Sequence, residues 1–293
     1  MVGNTGWRSR LVVAGFLAPS LIPLLAFLVA PMLSSIGISF ASWDLISPAR
    51  WVGLANYRNL LHDEAFRSAL LHTLYFVGGY LPLVFIGGLG VALALNQRLR
   101  HVGWLRTIYF LPVVTSWVVV ALVWKWLLNP QFGVVNYLLG LVGIDGPGWW
   151  LDPHWAMPSI ILASAWKDVG YVMVIFLAGL QAIPDEYYEA AAIDGAGRWS
   201  RFRHITLPLL SPATFMVIVI SLINNFQVFD QVWVMTGGGP AGSTTVVVQQ
   251  IVQNAFEYGR MGYASAMSWV LFAIILVITA VQLRLQKRWV VYG

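Results

Sequence analysis

The chain contains no cysteine. Disulfides, thiolate nucleophiles and cysteine-ligated metals are therefore excluded, and the redox compartment leaves no trace in the sequence. Charge is nearly as scarce: only 10% of the 293 residues are Asp, Glu, Lys or Arg, against roughly a quarter in a soluble domain. A surface so poor in charge is not kept in water, so lipid must cover much of it. The five histidines, His62, His72, His101, His154 and His204, are scattered and show neither HxxxH nor HExxH spacing, which argues against a metal site. No GxxxxGK[ST] run is present, and the one glycine-dense stretch, residues 237–244, has no lysine to reach a phosphate. Charged groups are also too few and too dispersed for acid–base or nucleophilic catalysis. The net charge of +5 does not point to nucleic acid, because membrane proteins gather bases in cytoplasmic loops and no stretch here interleaves bases with aromatics.

What the sequence has in abundance is long apolar runs. A membrane-crossing helix needs about 20 mostly apolar residues, and six stretches qualify, at about 11–40, 69–95, 104–128, 158–180, 212–234 and 263–283. The fold expected is all-α, a polytopic membrane protein of six transmembrane helices. Residues 1–67 would hold the first helix and an outward loop, and 68–288 a core of five helices. Arg8 and Arg10 precede the first run as they would in a signal peptide. That run continues well past the usual 7–15 apolar residues, with no small-residue cleavage site, so it reads as a retained helix. Pro19, Pro23 and Pro31 predict a kink or an early interfacial end within it.

The bases set an orientation. Arg8, Arg10, Arg98, Arg100, Arg106, Arg198, Arg201, Arg203, Arg284, Lys287 and Arg288 fall on one side, whereas Arg50, Arg58, Arg67 and Arg260 fall on the other. The positive-inside rule then puts both termini in the cytoplasm. The segments facing outward, about 41–68, 129–157 and 235–262, carry Trp43, Trp51, Trp149, Trp150 and Trp155. These suit the membrane–water interface, although indole rings of this kind also stack on sugars. Lys125 and Lys167 lie inside predicted spans. Lys125, near a span end, is expected to snorkel. Lys167, near mid-span, must pair or face water; Asp168 points about 100° away along a helix, so Asp230 or a carboxylate outside this chain is its candidate counter-ion.

Between the fourth and fifth spans, residues 181–211 read QAIPDEYYEAAAIDGAGRWSRFRHITLPLLS. Pro184 with Asp185, Glu186 and Glu189 predicts a helix start. Tyr188, Ala191, Ala192 and Gly195 recur at helical spacing on one small-sided face, and Gly195-Ala196-Gly197 breaks the helix. A short basic segment, Arg198 to Leu207, is expected to stop at Pro208. Such a hairpin is either an interfacial amphipathic element or a docking element for a partner.

Glu189-Ala190-Ala191, then Gly195, then Ile205, Leu207 and Pro208 fill every position of an EAA-x3-G-x9-I-x-L-P pattern. The chain thereby resembles the permease subunits of binding-protein-dependent ABC importers, whose EAA loop forms coupling helices seated in a cytoplasmic ATPase. The resemblance implies that Glu189 engages the ATPase, that Ala190 and Ala191 keep the contact tight, and that Asp194 and Gly195 mark the bend. Arg198 and Arg201 would pair with acidic groups of the ATPase or with lipid phosphates. It also implies partners: a second, non-identical permease, two ATPase subunits and an external solute-binding protein, in a bacterial plasma membrane. The chain itself would hold no cofactor, ATP and magnesium being bound by the ATPases.

A weaker succession resembles the carbohydrate-uptake branch of that family, the maltose and glycerol-3-phosphate type. It comprises Gly53-Leu54-Ala55-Asn56-Tyr57, Trp166-Lys167-Asp168-Val169-Gly170-Tyr171, Asn224-Asn225-Phe226-Gln227-Val228-Phe229-Asp230-Gln231 and Tyr258-Gly259-Arg260-Met261-Gly262. Amides and carboxylates beside aromatics suit a polyhydroxyl solute, and polar groups deep in a span face a cavity or another helix. Asn224, Asn225, Gln227, Asp230, Lys167 and Trp166 are therefore candidates for the solute path. The alternatives are an ABC permease for an amino acid, metal or phosphate ester, or a secondary transporter with no ATPase.

Overall fold

The computed structural model describes residues 7–97 and 102–291, without the side chains of residues 8–11. The side chains of Arg8 and Arg10, and Arg98, Arg100 and His101 altogether, lie outside the described residues. Helices dominate: α1 (Trp7–Leu24), α2 (Ala30–Ser39), α3 (Ala55–Leu61), α4 (Glu64–Leu95), α5 (Val102–Val114), α6 (Trp117–Leu127), α7 (Val134–Leu141), α8 (Pro153–Gln181), α9 (Asp185–Ile193), α10 (Arg198–Arg201), α11 (Leu207–Leu209), α12 (Ser211–Phe226), α13 (Asp230–Met235), α14 (Val247–Val252) and α15 (Met261–Trp289). Among the described residues the one sheet is a two-stranded antiparallel ribbon that sets Ala41 opposite Trp51 and Ser42 opposite Arg50.

Among the described residues, four helical stretches are long and apolar enough to cross a membrane: Val12–Ser39, Glu64–Leu95, Pro153–Gln181 and Met261–Trp289. Two bent pairs raise this to six if each is one span, Val102–Val114 with Trp117–Leu127 at 100° and Arg198–Leu209 with Ser211–Phe226 at 60°. The first expected run is not cut short by its prolines. A single π-helical turn, Leu25–Val29, follows Pro23, and such a turn absorbs the amide that proline lacks without ending the helix. The third expected span is not one helix, because it breaks at Ser116, whose backbone is extended (φ −57, ψ 140), four residues after Pro112.

The chain divides into two compact units. The first comprises residues 1–63 and 251–270. Here Asn56, buried, donates from Nδ2 to Ser39 O (2.8 Å) and Ala41 O (3.0 Å), fixing the exit of α2. Phe40 stacks on Trp51 with ring centroids 5.6 Å apart, and Tyr263 donates its hydroxyl hydrogen bond to Asp63. Asp44 accepts from the Ser47 N–H (2.7 Å), the Ile46 N–H (3.0 Å) and the Ser47 hydroxyl (3.0 Å), and these bonds hold its carboxyl below the usual carboxylate range.

The second unit, residues 64–250 and 271–293, is built on α4 and α8, which pack more extensively than any other pair. Phe76, Tyr80, Val84, Gly88 and Ala92 recur every four residues on α4, and all are buried. Ile160, Ala163, Met173 and Phe176 of α8 are fully buried. Leu71, Leu74, Leu83 and Ile86, on the other faces of α4, stay exposed, as lipid-facing groups do. Small residues let the backbones approach: a Cβ on Gly87 would lie 2.9 Å from Val169, and one on Gly170 would run into the carbonyl of Tyr109 on α5.

Candidate functional site: a polar cavity and an exposed helical hairpin

The fifth expected span does not run unbroken to residue 234. Helix α12 ends at Phe226, closed by Gln227 N–H to Asn224 O (3.2 Å) and Val228 N–H to Asn225 O (3.3 Å), and α13 begins at Asp230. The residues gathered at the break are the polar ones. Asn225 turns its amide back on the helix, donating to Ser221 O at 2.7 Å, a local bond that competes with helix continuation. Asp230 sits in the first turn of α13, where a carboxylate is favoured. Asn224, Asn225, Gln227 and Asp230 therefore do not occupy two successive helical turns; they line the opening left where the helix stops.

That opening is a cavity of about 460 Å³. Tyr80 enters from α4, Val113 from α5, Trp117 from α6, Lys167, Asp168 and Tyr171 from α8, and Ser221, Asn224, Asn225, Gln227, Phe229 and Asp230 from the α12–α13 region. Lys167 is only 5% exposed. It does not meet Asp230, the counter-ion this chain offered in sequence, and it makes no ion pair with Asp168, as expected from their spacing. Its Nζ donates to Val113 O at 2.9 Å and lies 5.0 Å from the centre of the Trp117 ring. The reason is the break between α5 and α6, which frees a carbonyl within reach. Asp168 accepts from the Tyr80 hydroxyl at 2.9 Å. Asp230 and Asn224 are exposed to the cavity, and Asp230 makes no ion pair or side-chain hydrogen bond among the described residues.

Trp166 does not join this group. It is half exposed and packs edge-on against Trp124, centroids 5.8 Å apart. Lys125 sets its Nζ 4.6 Å from the centre of the Trp150 ring. Sequence reasoning missed Tyr80 and Trp117. The signal available for Tyr80 was its place on the four-residue stripe of α4; nothing in the sequence marked Trp117, because its position depends on the α5–α6 break. Among the described residues, no three His, Asp or Glu side chains are grouped to hold a metal.

The 181–211 segment folds as the second feature. Helix α9 begins after Pro184 with Asp185 and Glu186 in its first turn. It is closed by Gly195 at φ +75 and by Ala196 N–H donating to Ala191 O at 2.8 Å, a Schellman-type end. The return path is helical through Pro208, contrary to the stop expected there. A π-helical turn, Phe202–Thr206, precedes α11, and the chain bends by 60° only before α12. The wider turn shifts the bonding register so that the amide missing from Pro208 breaks nothing. The Tyr188 and Thr206 hydroxyls are bonded at 3.0 Å, tying α9 to the returning helical arm of the hairpin. Glu189, Ala190, Asp194, Gly195, Arg198 and Leu207 are exposed, and Ala191, Arg201, Ile205 and Pro208 are half-buried. Ile193 is 88% and Trp199 71% exposed. Two large apolar side chains thus stand uncovered at the tip of a charged hairpin.

The sequence profile described as "Binding-protein-dependent transport system inner membrane component" matches residues 85–291. A probable ABC transporter permease protein of Bacillus subtilis, YurN, is 37% identical over 286 residues, covering 96% of this chain and 97% of the relative. The trehalose/maltose transport system permease protein MalF of Thermococcus litoralis is 35% identical over 270 residues, covering 92% and 91%. In three dimensions, a chain of a bacterial alginate ABC transporter, crystallised with an alginate pentasaccharide-bound periplasmic protein, superposes with a TM-score of 0.84 at 27% identity, covering 97% of this chain and 98% of that one.

Proposed function

The chain belongs to the inner membrane components of binding-protein-dependent transport systems and is a permease subunit of an ABC importer, and on that premise we propose that it carries a sugar or sugar-like solute. It is a multi-pass transport subunit and not an enzyme. The cavity at the α12 break carries the sugar reading: amides of Asn224 and Gln227, the carboxylate of Asp230 and the ring faces of Trp117, Tyr171 and Phe229 line one opening. A polyhydroxyl ring needs that combination of donors, acceptors and flat apolar faces. The similarity to a trehalose/maltose permease and to an alginate transporter supports the same solute class.

In this reading both bent pairs are spans, giving six, with both termini cytoplasmic and residues 68–288 as the translocating core. The 181–211 hairpin is the EAA coupling loop: Ile193 and Trp199 seat in the ATPase, Glu189 orients them, and Arg198 and Arg201 meet acidic groups. A second, non-identical permease, two ATPase subunits and an external binding protein complete the importer. ATP-driven approach of the ATPases carries the hairpins inward and, with them, the permease halves as rigid bodies, so that the cavity opens alternately to either side.

The test is ATP-dependent uptake by the assembled importer in proteoliposomes, offered labelled oligosaccharides and amino acids in parallel. Uptake of an oligosaccharide that is lost in Glu189→Lys with Gly195→Asp supports the proposal. Uptake of amino acids alone would sink the sugar reading, and uptake without ATPase subunits would sink the coupling role.

A further inference from the structure

A buried ammonium in a solute cavity is ordinarily read as a binding group for an anion. The geometry around Lys167 assigns it elsewhere. Where α5 stops, its last carbonyls lose their helical partners. Leu111 O accepts from the Thr115 hydroxyl at 3.1 Å and Pro112 O from the Thr115 N–H at 3.2 Å, and Val113 O accepts from Lys167 at 2.9 Å. Lys167 thus closes the set at a helix C-terminus, where the backbone dipole favours a cation, and Trp117, the first residue of α6, covers the ammonium from the far side of the break. Its charge is engaged on both sides by the protein. Asp168 is engaged as well, by Tyr80. The charge left open to the cavity is Asp230.

Resting on the sugar reading above, we propose that Lys167 is a positioning residue that caps the broken end of α5, and that Asp230 makes the cavity selective for neutral polyhydroxyl solutes over anionic ones. A carboxylate only accepts hydrogen bonds, so it welcomes hydroxyl groups and repels a uronate or phosphate in the poorly screened interior. Family membership does not settle this, since alginate, the cargo of a structural neighbour, is an acidic polysaccharide.

The experiment uses the assembled importer with its binding protein in proteoliposomes, with two matched pairs of probes, trehalose against trehalose 6-phosphate and methyl glucoside against methyl glucuronide. The wild type is expected to favour the neutral member by about tenfold or more in kcat/KM, the range of one well-placed repulsion. Asp230→Asn should narrow that ratio several-fold, read on complexes recovered with the same subunit composition as the wild type. Lys167→Met should depress uptake of both members alike, and Lys167→Arg should restore part of it. A wild type that prefers the anionic members, or a ratio untouched by Asp230→Asn, would overturn the assignment of Asp230 while leaving the sugar reading standing. Selective loss of the anionic members in Lys167→Met would show that Lys167 faces the cargo and would overturn its capping role. If amino acids are carried and no sugar is, the reading beneath the proposal fails, and the proposal with it.

Discussion

The hairpin at 181–211 and the cavity at the α12 break belong to the same compact unit and are built on opposite plans. The hairpin is one contiguous stretch, held by local bonds from Ala196 to Ala191 and between Tyr188 and Thr206, and it turns Ile193 and Trp199 outward. The cavity draws residues from α4, α5, α6, α8 and α12–α13, buries its lysine and ties its deepest carboxylate to a tyrosine. On the proposed roles, the docking surface leaves Ile193 and Trp199 uncovered, whereas the solute path bonds its lysine and Asp168 internally and leaves Asp230 open. Mutations in the two regions should therefore separate: hairpin changes should cost assembly and leave the fold intact, and cavity changes should cost the fold or the transport and leave assembly intact.

The sharpest way to break this contrast is at the hairpin tip. Ile193→Asp combined with Trp199→Ala should lower the ATPase recovered with the purified permease by about a hundredfold, the scale on which two central interface anchors act, with Tm of the permease alone unchanged. A fall in Tm would mean that these side chains pack on their own chain, and the hairpin would no longer count as a docking surface.

On the cavity side the largest effect is expected from Gly170→Val. A Cβ there meets the carbonyl of Tyr109, so α5 is forced off α8 and the α5–α6 break shifts with it. Overpacking of this kind costs about 1–3 kcal/mol, and more where the obstacle is backbone. Thermal unfolding should show a clear loss of stability, with transport lost. Normal unfolding with normal transport would show that α5 need not lie against α8.

The same contrast explains what could be read in advance. The hairpin was legible in detail: its helix start at Pro184, its bend at Gly195 and every position of the coupling pattern lie within 31 consecutive residues, where short-range chemistry decides the conformation. The apolar runs gave the membrane class for the same reason. The cavity was legible only in composition. Asn224, Asn225, Gln227 and Asp230 stood out as polar groups in an apolar run, yet their meaning changed once the helix ended at Phe226. The partner of Lys167 could not be read at all, since Val113 O becomes available only through a 100° bend that hydropathy does not record. Pro208 misled in the opposite direction, because a π turn earlier in the hairpin had already adjusted the register.

A smaller cavity effect tests the claim of internal satisfaction. Tyr80→Phe removes the hydroxyl donated to Asp168 and leaves a half-buried carboxylate without that donor, at about 1–3 kcal/mol. The expected outcome is a lower Tm with ATPase recovery unchanged, and a reduced rate of uptake. An unchanged Tm would mean that water or a neighbouring group replaces the hydroxyl, so that the cavity tolerates open polar groups as readily as the hairpin does.

The smallest expected effect sits at Gly195. Its φ of +75 is a conformation that costs an ordinary L-residue about 1–2 kcal/mol, while open space surrounds the position a Cβ would take. Gly195→Ala should therefore act through the backbone alone. The bend between α9 and α10 loosens and ATPase recovery falls by about tenfold, with Tm within a degree or two of wild type. Gly195→Asn should recover most of the loss, because asparagine enters the left-handed region more readily than alanine. Equal behaviour of the two variants would show that the side chain itself obstructs the ATPase. The hairpin would then be defined by the space at its bend and not by the angle the glycine sets.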